Sequence, residues 1–256
     1  MIRKYQGVLR EMAPYIHLII PTYGFMAVLG IITAVSWLYY RSIKVEKYCI
    51  DFKDFLWLCL FCGVGCLIGS RLLFVVTQIP ELISDFSFMH LIQKVFGGGF
   101  VFYGGLLGAL AANVIFCKVK KYNLDDVMDF TVPAFALFHA FGRVGCFFAG
   151  CCYGFKFENP VIIYDFMLFN YFPIQLVEVL FEIVMFFILK GAPDGSTLKT
   201  YLLSYAVFRF VVEFFRGDEA RGIWLGISTS QWVSLFIILS CMYIIFKNKL
   251  LKYKYS

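Results

Sequence analysis

The sequence predicts an all-α integral membrane protein with about seven transmembrane helices. Its 256 residues are 61% hydrophobic and only 16% charged, and the mean hydropathy is +0.79. A soluble domain of ordinary composition carries about 25% charged residues. The apolar residues also form seven separate runs, each close to the roughly 20 residues that cross a bilayer as a helix. We therefore expect a single polytopic membrane domain over residues 1–256.

The seven apolar runs give the expected helices and the loops between them. The runs are 15–40, 55–78, 99–118, 128–150, 175–190, 198–216 and 229–247. The first run is too long to be the apolar part of a cleavable signal peptide, so we expect it to be a true span. Two longer excursions, near 79–98 and 151–174, are expected on the outer face. The second is rich in Phe, Tyr and Ile, which suits a segment lying on the membrane surface.

Lysine and arginine residues predict the orientation, because loops rich in them stay in the cytoplasm. Thirteen of the 23 follow the first, third, fifth and seventh runs: Arg41, Lys44, Lys47, Lys53, Lys118, Lys120, Lys121, Lys190, Lys199, Lys247, Lys249, Lys252 and Lys254. We therefore expect the N-terminus outside and the C-terminus inside, although Arg3, Lys4 and Arg10 oppose this. Since the positive charge is concentrated in these loops, the net charge of +6 does not indicate nucleic-acid binding.

Four arginines fall within or at the ends of the predicted spans: Arg71, Arg143, Arg209 and Arg216. An arginine at membrane depth is costly unless it meets an anion, a carboxylate or water. The predicted orientation places Arg71, Arg143 and Arg216 towards the outer side, with Arg209 about two turns deeper. Guanidinium groups bind phosphate bidentately and keep their charge. The arginines therefore predict a phosphate-binding site in the outer half of the membrane.

Two groups of polar residues allow two interpretations each. Arg209, Glu213 and Arg216 share one helix face, which predicts either a purely structural ion-pair ladder or a glutamate that orients Arg209 for a ligand. His139 lies one helical turn before Arg143. It is either a buried core histidine or a base beside the phosphate site.

Glycines and cysteines also leave alternatives open. Gly97-Gly98-Gly99 precedes Tyr103-Gly104-Gly105, which predicts either close helix packing or an unusually accessible tyrosine. Most of the nine cysteines lie in apolar runs, where a free cysteine packs as a small hydrophobic residue. Cys146 with Cys151 and Cys152 has no second Cys or His pair at a suitable spacing, so we expect no metal. Whether these three are reactive or disulfide-bonded stays open.

Several short motifs follow one another in a distinctive order. They are Tyr23-Gly24, Gly69-Ser70-Arg71, Tyr103-Gly104-Gly105, Asp129 with Pro133, Gly142-Arg143-Val144-Gly145-Cys146 with Gly150 and Gly154, Pro173-x-Gln175-Leu176-x-Glu178, Arg209-Phe210-x-x-Glu213-x-x-Arg216, and Gln231. Together they resemble the motifs of the bacterial phosphatidylglycerol–prolipoprotein diacylglyceryl transferase family. The resemblance covers nearly the whole chain.

This resemblance implies an enzyme of the bacterial cytoplasmic membrane, multi-pass, with its active site towards the outer leaflet. It would transfer the diacylglyceryl group of phosphatidylglycerol to the lipobox cysteine thiol of prolipoproteins, forming a thioether and releasing glycerol phosphate. Its partners would be phosphatidylglycerol, prolipoprotein signal peptides and membrane lipid, with no cofactor, no metal and no nucleic acid. The catalytic residues implied are Arg143, Arg209, Tyr103 and His139. The substrate-binding residues implied are Tyr23, Arg71, Gly104, Gly105, Gly142, Cys146, Gly154, Gln175, Glu178, Glu213 and Arg216.

The chain departs from the family pattern at four positions. Tyr103 stands in place of a histidine, Cys146 in place of the signature asparagine, Cys151 at its acidic position, and Phe172 in place of the histidine before Pro173. The arginines are kept. Three routes for the loss of the thiol proton therefore stay open. His139 or Tyr103 accepts the proton, or the positive charge of the arginines alone ionises the thiol.

Two alternative functions follow from the same residues. One is a divergent lipid-headgroup transferase with another acceptor. The other is a non-catalytic phospholipid-binding membrane protein.

Overall fold

The computed structural model describes residues 15–16, 20–44, 50–79, 101–163, 167–217 and 223–254. Within these ranges there are seven α-helices of at least 16 residues, one for each predicted apolar run. In chain order they are α1 (Thr22–Lys44), α2 (Phe52–Thr77), α3 (Phe102–Lys120), α4 (Leu124–Phe148), α5 (Ile174–Leu189), α6 (Thr197–Val212) and α7 (Thr229–Lys254).

Three of these helices, α1, α2 and α4, are long and apolar enough to cross a membrane, judged by length and composition over the described residues. Among the described side chains, α7 adds the apolar stretch Thr229–Tyr243. A mostly helical protein with membrane-spanning character is thus confirmed. The number of spans and their orientation stay predictions.

Short antiparallel hairpins accompany the helices, and the all-α prediction did not include them. They pair β1 (Tyr15–Ile16) with β2 (Ile20–Pro21), β3 (Lys156–Ile163) with β4 (Met167–Tyr171), and β5 (Ile223–Trp224) with β6 (Ile227–Ser228). The first predicted run therefore begins as a hairpin, and helix α1 starts directly after Pro21. The excursion 151–174 contains the β3–β4 hairpin, because its β-branched and aromatic residues favour paired strands. Most of the excursion 79–98 lies outside the described residues.

The chain divides into two compact units. The central unit is Tyr39–Phe130, and the flanking unit combines Met1–Leu38 with Thr131–Ser256. The single domain over 1–256 stays a prediction.

In the central unit, α2 and α3 meet along a seam of glycines. Gly65 and Gly69 of α2 face Gly104 and Gly108 of α3, so each helix carries a Gly-x-x-x-Gly pattern. A Cβ atom on any of the four would overlap backbone atoms of the other helix. Such small residues let membrane helices approach closely enough for extensive van der Waals contact. We define these four residues as the glycine seam.

Helix α5 of the flanking unit shows how the site is positioned. Its polar residues Gln175, Glu178 and Glu182 are buried, whereas apolar Leu180 and Phe187 are more than half exposed. In water this arrangement would be unfavourable, since it exposes apolar surface and buries charge. In a bilayer the apolar face contacts lipid and the charged face turns to neighbouring helices. The helix therefore presents two carboxylates to the interior of its unit.

Candidate active site

Glu178 of α5 joins two arginines from different helices. Its Oε2 atom lies 3.3 Å from Nε of Arg143 on α4, and its Oε1 atom accepts a hydrogen bond from Nη1 of Arg209 on α6 at 2.8 Å. All three side chains are largely buried, and Glu178 is only 2% exposed. Buried ions at membrane depth are tolerated when they are paired in this way.

The ion pairs continue past the end of α6. Arg209 Nη2 lies 2.8 Å from Oε2 of Glu213, and Arg216 Nη1 lies 4.0 Å from the same oxygen. Arg209 Nη2 also donates to Oγ of Ser230 on α7 at 3.4 Å. The ladder of Arg209, Glu213 and Arg216 predicted from the sequence is therefore present, and Glu178 extends it to Arg143. These five charged residues form what we call the arginine cluster.

The arginine cluster is rich in guanidinium groups. It contains three of them and two carboxylates. Among the residues that the structure describes, Glu178 is the only acidic partner recorded for Arg143, and that contact uses Nε alone. The Arg143 side chain keeps 12% of its surface exposed. A largely buried group of arginines is suited to an anion such as a phosphodiester.

A second buried network lies beside it on the same helices. His139 Nδ1 of α4 lies 2.7 Å from Oε1 of Glu182, and the Tyr201 hydroxyl donates to the Glu182 carboxylate at 3.1 Å. The rings of Phe135 and Tyr205 pack against the imidazole. Only 4% of His139 is exposed. In this network Nδ1 of His139 faces the Glu182 carboxylate. This contact is compatible with a buried core histidine and also with a base.

Sequence reasoning missed Glu182 and Tyr201. A signal was available for the glutamate, because Glu178 and Glu182 lie one helical turn apart in an otherwise apolar segment. Tyr201 carries no such signal, since tyrosines are frequent in this chain. Its role depends on the helix pairing that the sequence does not show.

The loop after α4 gathers three cysteines. The backbone turns at Gly150 and again at Cys152, both with positive φ (67° and 60°), and Cys151 N donates to the Cys146 carbonyl at 3.1 Å. This turn brings Cys151 and Cys152 back to Cys146, with all three sulfurs within 4.8 Å of one another. Gln175 Nε2 donates to the Cys151 carbonyl at 2.6 Å and holds the loop against α5. We call Cys146, Cys151 and Cys152 the thiol cluster.

The thiol cluster lies close to the arginine cluster. Hydrogen bonds with Cys146 and Cys151, assisted by the positive charges of Arg216 and Arg143, hold the pKa of the Cys152 thiol well below its usual range. All three are free cysteines. The cluster thus combines nucleophilic or metal-binding groups with local positive charge.

Three further predicted residues lie in the flanking unit near these clusters. Tyr23 is the second residue of α1, and its ring lies where a Cβ on Gly145 would touch it. Gly142 borders open space, because a Cβ there would meet nothing within 4 Å. Gly154 is buried, donates to the Phe172 carbonyl at 2.9 Å and pairs with Arg216, so its small size serves close backbone packing.

The remaining predicted residues belong to the central unit. Arg71 lies near the end of α2, and Gly104 and Gly105 pack against that helix. Both glycines thus serve close packing, and their expected part in substrate binding stays a prediction. Tyr103 lies in the first turn of α3, but its side chain is outside the described part of the structure, as are His90 and Gly97 to Gly99. The expected role of Tyr103 therefore stays a prediction.

Comparison with known proteins identifies the family. The family model for prolipoprotein diacylglyceryl transferase matches residues 12–247. The phosphatidylglycerol–prolipoprotein diacylglyceryl transferase of Clostridium tetani is 34% identical over 229 residues, which cover 85% of this chain and 88% of that protein. The protein of this name numbered 2 in Clostridium perfringens is 33% identical over 241 residues (90% and 91% covered). That of Pasteurella multocida is 33% identical over 230 residues (85% and 82% covered).

These matches extend over the helices that carry both clusters, and they confirm the resemblance seen in the motifs. The chain belongs to the prolipoprotein diacylglyceryl transferase family.

Proposed function

We propose that this chain transfers the diacylglyceryl group of phosphatidylglycerol to the lipobox cysteine thiol of prolipoproteins, forming a thioether and releasing glycerol phosphate. Family membership and the names of the relatives support these substrates. The observation in the structure that carries the proposal is the arginine cluster, in which Glu178 holds Arg143 and Arg209 side by side. A phosphodiester headgroup carries one negative charge, and guanidinium groups bind such an anion through paired hydrogen bonds.

The arginines would act on the leaving group. When the bond between carbon and phosphate oxygen breaks, the phosphate gains a second negative charge. Arg143 and Arg209 are held in place by Glu178 and need no rearrangement to meet that charge. Preorganised donors of this kind are among the largest contributions to catalysis. Glu213 and Arg216 would hold Arg209 and complete the anion site.

The remaining predicted residues would bind or position substrate. We assign this role to Tyr23, Arg71, Gly104, Gly105, Gly142, Cys146, Gly154 and Gln175. The acceptor thiol must lose its proton before it attacks, since its ordinary pKa is about 8.5. His139 and Tyr103 are the proposed alternatives for the proton acceptor. The charge of the arginines is the third route to ionisation.

The enzyme would be a multi-pass protein of the bacterial cytoplasmic membrane with its active site towards the outer leaflet. The basic loops support an outside N-terminus and an inside C-terminus. Cysteines introduced singly into 41–54 and 155–172 test this orientation with a reagent that does not cross the membrane. We expect only the second segment to react in intact cells. Reaction of the first segment alone would reverse the orientation.

Transfer itself is tested with the purified chain in vesicles that contain phosphatidylglycerol, together with a synthetic lipobox peptide. We expect the peptide to gain one diacylglyceryl mass, with equimolar release of glycerol phosphate. A peptide with serine in place of the cysteine is the matched control and should stay unmodified. Glycerol phosphate released without peptide modification would favour a different acceptor. Lipid binding without any release would favour a non-catalytic protein.

A further inference from the structure

We propose that Cys146, Cys151 and Cys152 hold one thiophilic divalent metal ion of the zinc class, and that the fourth coordination position receives the acceptor thiol. The second half of this proposal rests on the proposed function. The sequence alone predicts no metal here, because the three cysteines lack a second Cys or His pair along the chain. The fold changes that expectation, since it brings all three sulfurs together.

The geometry of the thiol cluster fits such an ion. The three sulfurs lie within 4.8 Å of one another. A tetrahedral zinc ion with bonds of about 2.3 Å to sulfur holds its sulfur ligands about 3.8 Å apart, so small side-chain rotations close the site. Three protein ligands with one open position are the arrangement of catalytic zinc sites, whereas structural sites use four protein ligands.

The backbone around the cluster is fixed in a way that supports ligand binding. Cys152 has a left-handed backbone (φ 60°), which is unfavourable for a residue other than glycine and is kept only where its surroundings enforce it. Gln175 anchors the carbonyl of Cys151, and Cys151 N is bonded to the Cys146 carbonyl. Such outer contacts orient metal ligands in known sites.

Charge and exposure also suit the proposal. Three thiolates and one divalent ion carry a single net negative charge, and Arg143 lies one helical turn before Cys146 on α4. Cys146 is buried, with 9% of its surface exposed, whereas Cys151 is exposed. The cluster is therefore open on one side, where a fourth ligand can approach.

A metal in this position would perform the task otherwise assigned to a base. A thiol that coordinates zinc is deprotonated, and its proton passes to water. The metal-bound sulfur would then form the bond to the glyceryl carbon, while the bond between that carbon and the phosphate oxygen breaks with its electron pair on the phosphate. The arginine cluster would receive this charge. This chain has Tyr103 where the family motif has histidine, and two of its other departures, Cys146 and Cys151, are the proposed ligands.

Cobalt(II) is the probe for the first half of the proposal, because its bonds to thiolates absorb light. The full-length protein, reduced and stripped with a chelator, is titrated with Co²⁺ in detergent. We expect one ion per chain with thiolate-to-cobalt bands. Cys151→Ser and Cys152→Ala should weaken binding by about 100-fold or more, since loss of an outer-shell partner alone costs 10–100-fold. Cys241→Ser, on α7 outside the cluster, is the control and should bind normally.

Binding with no thiolate band, or equal binding by the cluster variants and the wild type, would overturn the metal site. Cys151 is exposed, so its serine variant tests the proposal even if a change at buried Cys146 prevents folding.

The fourth position is tested by adding the lipobox peptide to the cobalt form. We expect the cobalt bands to shift with the cysteine peptide and to stay unchanged with the serine peptide. Unchanged bands with both peptides would overturn this half. If stripped protein and the cluster variants transfer lipid at full rate, the metal has no part in transfer, the second half of the proposal fails and the proposed function stands. If the bands shift but no lipid is transferred, the proposed function fails and the site stands.

Discussion

The two units of the molecule associate their helices by different means. In the central unit, α2 and α3 meet through the glycine seam, where backbones approach without side chains between them. In the flanking unit, α4, α5 and α6 are joined by charged side chains of the arginine cluster and by the His139 network. Close contacts between glycines require no buried charge in the membrane, whereas burying a charge raises the free energy of the fold unless the charge is paired.

This difference separates scaffold from site. Helices that need only to associate can use glycine and van der Waals contact alone. A unit that carries buried charges bears a cost in free energy that helix packing does not require. We infer that the arginine cluster acts on the leaving phosphate and that the glycine seam holds α2 and α3 together. Each prediction below tests one side of this comparison.

The largest expected effect concerns the proton acceptor, for which each unit supplies one candidate. If His139 of the flanking unit is the base, His139→Gln lowers the transfer rate by roughly 10²–10⁴-fold. Tyr103→Phe in the central unit should then cost less, because it removes only a hydroxyl. Single-turnover rates of both variants decide between them, and normal rates of both would exclude either residue as the base and leave ionisation to the arginines or to the thiol cluster. A harmless His139→Gln together with an inactive Tyr103→Phe would place the base in the central unit.

The next effect concerns the arginine cluster. Arg143→Ala and Arg209→Ala should each lower turnover at least ~100-fold, because each removes on the order of 3 kcal/mol of transition-state stabilisation. Lysine should rescue poorly at both positions, since it offers a point charge in place of a planar fork. Steady-state kinetics with vesicle phosphatidylglycerol measure this. Near-normal activity of either lysine variant would contradict bidentate phosphate contacts.

Gly108→Ala tests the other side of the comparison. Its new methyl group would overlap the Gly65 carbonyl of α2, so we expect a loss of about 1–3 kcal/mol in stability. Gly63→Ala is the matched control, because a Cβ there meets nothing within 4 Å. It should leave stability unchanged or raise it by up to about 1 kcal/mol through helix propensity. Unfolding in mixed micelles gives both values, and equal effects of the two variants would argue against the seam.

The last effect concerns the tyrosine of the His139 network. Tyr201→Phe removes a hydroxyl that donates to Glu182 at 3.1 Å and lies 3.2 Å from His139. We expect the free energy of unfolding to fall by about 1.5–3 kcal/mol, the range for a hydrogen bond to a charged group. Transfer activity should be largely kept. A loss of activity with unchanged stability would give Tyr201 a part in catalysis.

The sequence predicts the long helices well because each depends on a local property, a run of apolar residues with a length near the bilayer thickness. It also predicts the ladder of Arg209, Glu213 and Arg216. The expected common helix face is not kept, because α6 ends at Val212 and Arg216 lies in extended backbone after a short 3-10 turn. The hairpins were not predicted, because short pairings such as β5 with β6 have weak local signals.

The contacts between helices were not predicted either. The pairing of Glu178 with Arg143, and of Glu182 with His139, depends on which helices become neighbours.

The cysteines illustrate the same limit. Along the chain, no second pair of Cys or His residues accompanies Cys146, Cys151 and Cys152 at the spacing of a metal site. The sequence alone therefore argues against a metal. The turn at Gly150 and Cys152 converts that spacing into one cluster. Backbone conformation at two residues, rather than composition, decides the chemistry available there.

The most direct test of the central claim is a comparison of two lipids as ligands of the arginine cluster. Binding of phosphatidylglycerol and of diacylglycerol, which lacks the phosphate, is measured in nanodiscs without an acceptor peptide. Our account predicts that phosphatidylglycerol binds at least about tenfold more tightly, about 1.4 kcal/mol, and that Arg143→Ala and Arg209→Ala each remove this preference. Equal affinity for the two lipids, or a preference that survives both substitutions, would contradict it.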